Sequence, residues 1–151
     1  MHTQQPMAIC TRIADRNAAL ADRLWGSVET VGGETKDRKA RAKGRELCES
    51  CPMLATCLAA ALTGQWKDDK IVGGLTYRER RQLAKCVGAG LGIKPRALVH
   101  VHPNRVAAWI REHPQAVAEA RAAQRRYWRC TKQISNNRVP DGVQLTQGTL
   151  F

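Results

Sequence analysis

Cys48, Cys51 and Cys57 fall within the run CESCPMLATC, and a fourth thiol, Cys10, stands upstream. Thiolates are soft donors that hold zinc or iron–sulfur clusters, exchange disulfides, or pack as small hydrophobes. Cys48 and Cys51 are spaced as a CxxC chelate. At the start of a helix, such a pair would be favoured as thiolate by the helix dipole. Pro52 fits the first turn of that helix, and Cys57 lies almost two turns further on. Cys10, ahead of the first helix, is the natural fourth ligand. Zinc sites usually pair two short knuckles, and only one is present. The histidines His2, His100, His102 and His113 lie elsewhere in the sequence. A thioredoxin-like dithiol needs a βαβ setting, which the sequence does not offer. A cluster takes four Cys thiolates at more varied spacing. Spacing therefore leans toward a cluster and leaves zinc and a redox dithiol open.

Other candidates carry less. Cys86 and Cys130 stand alone and read as packing residues, although Arg129 and Lys132 beside Cys130 favour its thiolate. Asp68-Asp69 reads as a solvated loop pair. GAGLG lacks the strand that a phosphate loop requires. His100 and His102 read as surface or partly buried histidines. No acid–base constellation stands out, so the expectation is a non-enzyme.

The elements that must position these thiols are helical. Ile13, Leu20 and Leu24 recur at helical spacing over residues 13–25. Residues 26–37, rich in Gly and Thr, read as a loop. A charged helix follows from Arg38, weakened at Gly44. Leu54, Leu58 and Leu62 share one face of the helix behind Pro52, which stops at Thr63-Gly64. Gly73-Gly74 is a tight turn. Thr76 with Glu79 forms a capping box that opens a helix to Gly88, with GAGLG as a flexible joint. Pro103 or Asn104 starts a helix holding Val106, Trp109 and Ile110. Pro114 ends it and opens another through Cys130. The polar stretch from Ser135 reads as disordered.

Composition agrees with small helices. Hydrophobic residues make up 43% of the chain, but aromatics only 5%, so Ala supplies much of the core material. Charge is uneven. Up to Leu75 there are 11 basic and 9 acidic residues, and from Thr76 onward 14 and 4. The rear half thus carries nearly all of the +12 charge and suits an acidic partner such as DNA. Arg121, Arg125, Arg126, Arg129 and Lys132, with Tyr127 and Trp128 among them, are the candidate phosphate contacts. No base-reading motif accompanies them, so these contacts would position rather than specify. An amphipathic helix with solvated arginines uses the same pattern. MHTQQPMAIC lacks the basic and apolar regions of a signal peptide, and no run approaches the ~20 apolar residues of a membrane span. The expectation is a cytoplasmic protein without a membrane partner, whose thiols stay reduced unless bound.

Cys10, then CESCPMLATCLAAAL, then IVGGLTYRERRQL, taken in that order, resemble the WhiB-like regulators of actinobacteria and their phages. The matching stretches span residues 10–83. The resemblance implies a small all-α domain wrapped around one [4Fe–4S] cluster held by Cys10, Cys48, Cys51 and Cys57. It also implies transcriptional regulation through the C-terminal domain of the primary sigma factor, contact with DNA through a basic tail in some members, and sensitivity to oxygen or nitric oxide. The family turn usually carries a Trp before Gly-Gly, and here Val72 takes that place. Sigma contact would then fall on Trp25, Trp66, Val72, Gly73 and Gly74. The expected organisation is a cluster-binding domain over 1–88, a basic helical extension over 89–134 and a disordered tail over 135–151, acting as a monomer with its partner. Two alternatives stand beside this reading: a cluster-free thiol-disulfide reductase, and a zinc-stapled DNA-binding module.

Overall fold

Two short helices stand where periodicity predicts one. α1 (Ile9–Arg16) and α2 (Ala18–Trp25) part at Asn17. The Asn17 side chain accepts a hydrogen bond from the Leu20 amide at 3.0 Å. Asn competes in this way for backbone N–H groups and caps the second helix, so the periodic stretch breaks there. α3 (Glu34–Glu49) begins before Arg38, so the expected loop is helical at its end. The computed structural model describes residues 6–26 and 34–150, with side chains over 6–26 and 38–136. The rest of that loop, 27–33, lies outside the described residues.

α4 (Leu54–Thr63) and α5 (Tyr77–Leu91) follow, then a 3-10 turn over Pro95–His100, α6 (Pro103–Glu112) and α7 (Gln115–Leu150). The described residues contain no β-strand, only an isolated bridge between Val72 and Leu75. No described helix is long and apolar enough to cross a membrane. The capping box is present: the Thr76 hydroxyl accepts from the Glu79 amide at 3.4 Å, and Glu79 Oε2 accepts from the Thr76 amide at 2.9 Å.

Past Gly88 the sequence predicts a flexible joint, but α5 continues to Leu91 and ends at Gly92 in the left-handed region (φ 71°). The joint is helical because its glycines serve close packing. A Cβ on Gly90 would lie 2.4 Å from the Trp109 indole nitrogen, so α6 seats its Trp against bare backbone. The division expected at residue 88 therefore falls inside a helix. One core runs through both sides of it, with Leu58, Leu62, Leu83, Val87, Leu98, Val106, Ile110 and Ala120 all buried. α4 packs chiefly on α6, and α5 on α7. Burying each large aliphatic side chain contributes about 1.5–3 kcal/mol. α7 also runs through Ser135, where the sequence predicts disorder; no Gly or Pro interrupts residues 115–139.

A second, smaller core lies at the front. Leu24, Trp25 and Ile71 are buried, with Ile13, Ala21, Ala40 and Leu47 packed on them. Cys10 and Cys48 border this cluster.

Candidate metal centre

Each thiol arrives on a different piece of backbone. Cys10 lies in the first turn of α1. Cys48 lies in the last turn of α3, Cys51 in the connecting turn, and Cys57 in the first turn of α4. The CxxC pair therefore closes one helix instead of opening the next. Pro52 explains this: its ring disfavours helical backbone at the preceding Cys51, so α3 must stop. The turn is held by the Cys51 amide on the Cys48 carbonyl at 3.1 Å and the Leu54 amide on the Cys51 carbonyl at 3.2 Å.

The fold brings these thiols into one region. The Ile9 amide, at the start of α1, donates to Cys51 Sγ at 3.5 Å. Burial pushes the Cys57 thiol up to about 11, and the charges of Cys10, Cys51 and Cys48 push the same way. Burial also raises Cys48, against the pull of the Trp25 indole N–H and a Gly74 backbone bond, with Cys10 and Cys51 adding to the rise. A lowered thiol at a helix N-terminus is thus not what Cys48 shows. Among the described residues, no three His, Cys, Asp or Glu side chains stand close enough together to hold one metal ion.

The wall around Cys48 is built from glycines and one indole. Trp25 is 8% exposed, and its N–H donates to the Gly44 carbonyl at 2.9 Å. A Cβ on Gly44 would lie 2.3 Å from the Leu24 carbonyl oxygen, so the glycine that weakens α3 is what lets α2 lie against it. Gly73 and Gly74 adopt φ 57° and 75°, the double left-handed turn that favours Gly at both positions. Val72 and Leu75 exchange backbone bonds of 3.1 and 3.0 Å across it. A Cβ on Gly73 would meet Leu58 at 2.5 Å, and one on Gly74 would meet Cys48 Cβ at 3.4 Å.

Arg80, unremarked in the sequence, organises the segment between α4 and α5. Its side chain is 2% exposed and donates to the carbonyls of Lys70 (2.8 Å), Leu75 (3.1 Å), Trp66 (3.4 Å) and Asp68 (2.9 Å). It also pairs with Asp68 Oδ1 at 3.2 Å. The signal available was an arginine inside ERRQL, but nothing in the sequence separates Arg80 from its neighbours Arg78 and Arg81.

The proposed partner residues divide. Trp25 is buried, Trp66 is 45% exposed, Val72 is half-buried, and Gly73 and Gly74 are buried. Arg121 is not a free cation. It pairs with Glu49 Oε1 at 2.6 Å and donates to the Gly74 carbonyl at 2.9 Å, joining α7 to the end of α3 and to the glycine turn. Arg125, Arg126, Arg129 and Lys132 are exposed, and Lys132 lies 5.4 Å over the Trp128 ring. Cys130 is exposed and Cys86 half-buried. Two histidines of the rear half serve structure. His102 Nδ1 accepts from the Asn104 amide at 3.1 Å, and His113 stacks on Trp109 with ring centroids 4.1 Å apart.

A family model described as transcription factor WhiB matches residues 16–83. That stretch, a little under half of the chain, is similar to the WhiB family. No curated protein and no solved structure matches the chain. The WhiB stretch takes in Cys48, Cys51, Cys57, the glycine turn and Arg80, and it ends at Leu83. Cys10 lies ahead of it, so the case for Cys10 rests on its place in α1 beside the other thiols. α6 and α7 lie behind it and are joined to the WhiB stretch by the shared core and by Arg121.

Proposed function

We propose that Cys10, Cys48, Cys51 and Cys57 hold one [4Fe–4S] cluster per chain and that the protein regulates transcription through it. What supports this reading is that the four thiols of α1, α3, α4 and the turn between the last two lie in one region, together with the similarity of residues 16–83 to the WhiB family. The donor set is entirely sulfur, which suits iron–sulfur ligation. Four thiolates repel one another, and a group carrying positive metal charge removes that repulsion. When bound, the cluster supplies a tie between α1 and the α3–α4 pair that oxidants and nitric oxide can cut. Because the ligands must ionise and come together, binding and folding of the front core are linked. Loss of the tie frees Cys48 and Cys51 to form a disulfide and loosens α1, which makes the small core the switching element.

The outputs are the sigma factor's C-terminal domain and DNA. With Trp25 buried, the sigma contact falls on Val72, at the glycine turn, and on the exposed Trp66. Arg125, Arg126, Arg129 and Lys132 offer phosphate contacts along α7, of the salt-dependent, sequence-tolerant kind. A dithiol reductase fits less well, since reactive CxxC thiols have lowered pKa values and burial raises Cys48.

Anaerobic purification followed by metal and sulfide analysis tests the core of this. Iron and sulfide in equal amounts with a brown chromophore are expected, and Cys51→Ser should lose both and lower the helicity. Zinc alone, or a Cys51→Ser protein that stays brown, would sink the cluster. Insulin reduction by apo protein that Cys48→Ser abolishes would favour the reductase. A pull-down with the sigma C-terminal domain reads the partner separately.

A further inference from the structure

Trp66 lies at the end of α4 opposite to Cys57, and the chain goes to some trouble to fix it there. Gln65 is the only described non-glycine residue with positive φ, at 50°. That left-handed residue ends α4 and turns the chain, with the Trp66 amide bonded to the Ala61 carbonyl at 3.0 Å. The Gln65 side chain donates to the Arg96 carbonyl at 3.2 Å and ties the turn to the 3-10 segment. The indole rests on Gly64, where a Cβ would lie 2.5 Å from its nitrogen. A large aromatic is thus held in place yet left 45% exposed.

Beside it, α4, α5 and the 3-10 segment enclose a groove of about 490 Å³. Leu62, Ala84 and Pro95 form an aliphatic floor, and Trp66 and Tyr77 stand at its wall. Lys67, Arg81, Lys85, Lys94 and Arg96 surround it, all exposed, and among the described residues no acidic side chain lines it. The nearest carboxylate in sequence, Asp68, is already paired with Arg80. Apolar pockets of this size take a bulky side chain, and a ring of exposed cations selects anionic flanks.

We propose that this groove docks an acidic segment of a partner protein, which inserts one large apolar side chain beside Trp66 and sets carboxylates against the surrounding cations. A nucleic-acid strand fits less well. It calls for cations in a line with stacked aromatic faces, whereas here the cations encircle one aliphatic depression. The groove is built by the far end of α4 and by α5, so its occupancy does not depend on what the cysteines hold.

The test is fluorescence anisotropy on the full chain, handled anaerobically. The probe is a labelled peptide with Leu and Phe on one helical face and Glu on the others. A second peptide carries Ser in place of Leu and Phe at the same charge, and a third probe is single-stranded oligothymidylate. The first peptide should bind and the Ser peptide should not. Trp66→Ala and the double variant Lys67→Glu, Lys94→Glu should each weaken binding by about tenfold or more. Circular dichroism checks that each variant is folded. Should Trp66→Ala fail to fold, the exposed double variant carries the test. Equal binding of the two peptides, or no loss in a folded variant, overturns the proposal. Oligothymidylate binding that vanishes in the same variants, without peptide binding, overturns it in favour of nucleic acid.

Discussion

Replacing Gly44 with Ala sets two effects of opposite sign against each other. Gly44 lies inside α3, and helix propensity alone makes Gly→Ala there stabilising by about 1 kcal/mol. The structure predicts the reverse. The new Cβ would stand 2.3 Å from the Leu24 carbonyl oxygen and 3.1 Å from Trp25 Nε1. Both neighbours belong to buried residues, and the first contact is backbone, so no rotamer change relieves it. α2 must retreat from α3. That overpacking costs about 1–3 kcal/mol. Stretching the 2.9 Å bond from Trp25 to the Gly44 carbonyl leaves a buried donor and acceptor unmet, for about 1–3 kcal/mol more. Net of propensity, the loss is about 1–5 kcal/mol, or a fall in Tm of a few degrees to about 15 °C at this chain length. Thermal unfolding followed by far-UV circular dichroism measures it. Because Trp25 also backs Cys48, iron content after anaerobic reconstitution should fall with it. A Gly44→Ala protein as stable as wild type, or more so, would refute the close-approach argument.

Gly73→Ala adds a left-handed strain of about 1–2 kcal/mol to a clash with the fully buried Leu58, and urea unfolding should show a loss of about 2–4 kcal/mol. Arg80→Lys keeps the charge but abandons most of the carbonyls that the guanidinium serves, so a loss of about 3 kcal/mol or more is expected by the same measurement. Arg121→Ala should cost about 1–3 kcal/mol, since it cuts the links to Glu49 and Gly74, whereas Arg126→Ala should change stability by less than about 0.5 kcal/mol and lower DNA affinity in a salt titration.

Sequence alone was enough for the features that depend on neighbours in the chain. The capping box at Thr76 and Glu79 is local chemistry, and it forms. Proline and apolar spacing placed α4 and α6 closely, because a helix face is written in residues three and four apart. The early thiol and the CESC run could be singled out because few uses exist for that many cysteines at such spacing.

What the sequence left open needed contacts between distant residues. Asn17 is as acceptable inside a helix as at its cap until the Leu20 amide claims its side chain. Gly44 and Gly90 look like weak points until α2 and Trp109 are seen to lie on them. Arg78, Arg80 and Arg81 are alike on paper, and only the packing of α5 against the segment before it buries the second. The same holds along α7, where Arg121 faces Gly74 and its neighbours face water. Spacing fixes which residues share a helix face. Which face turns inward, and what meets it there, is decided by the other helices that compete to cover it.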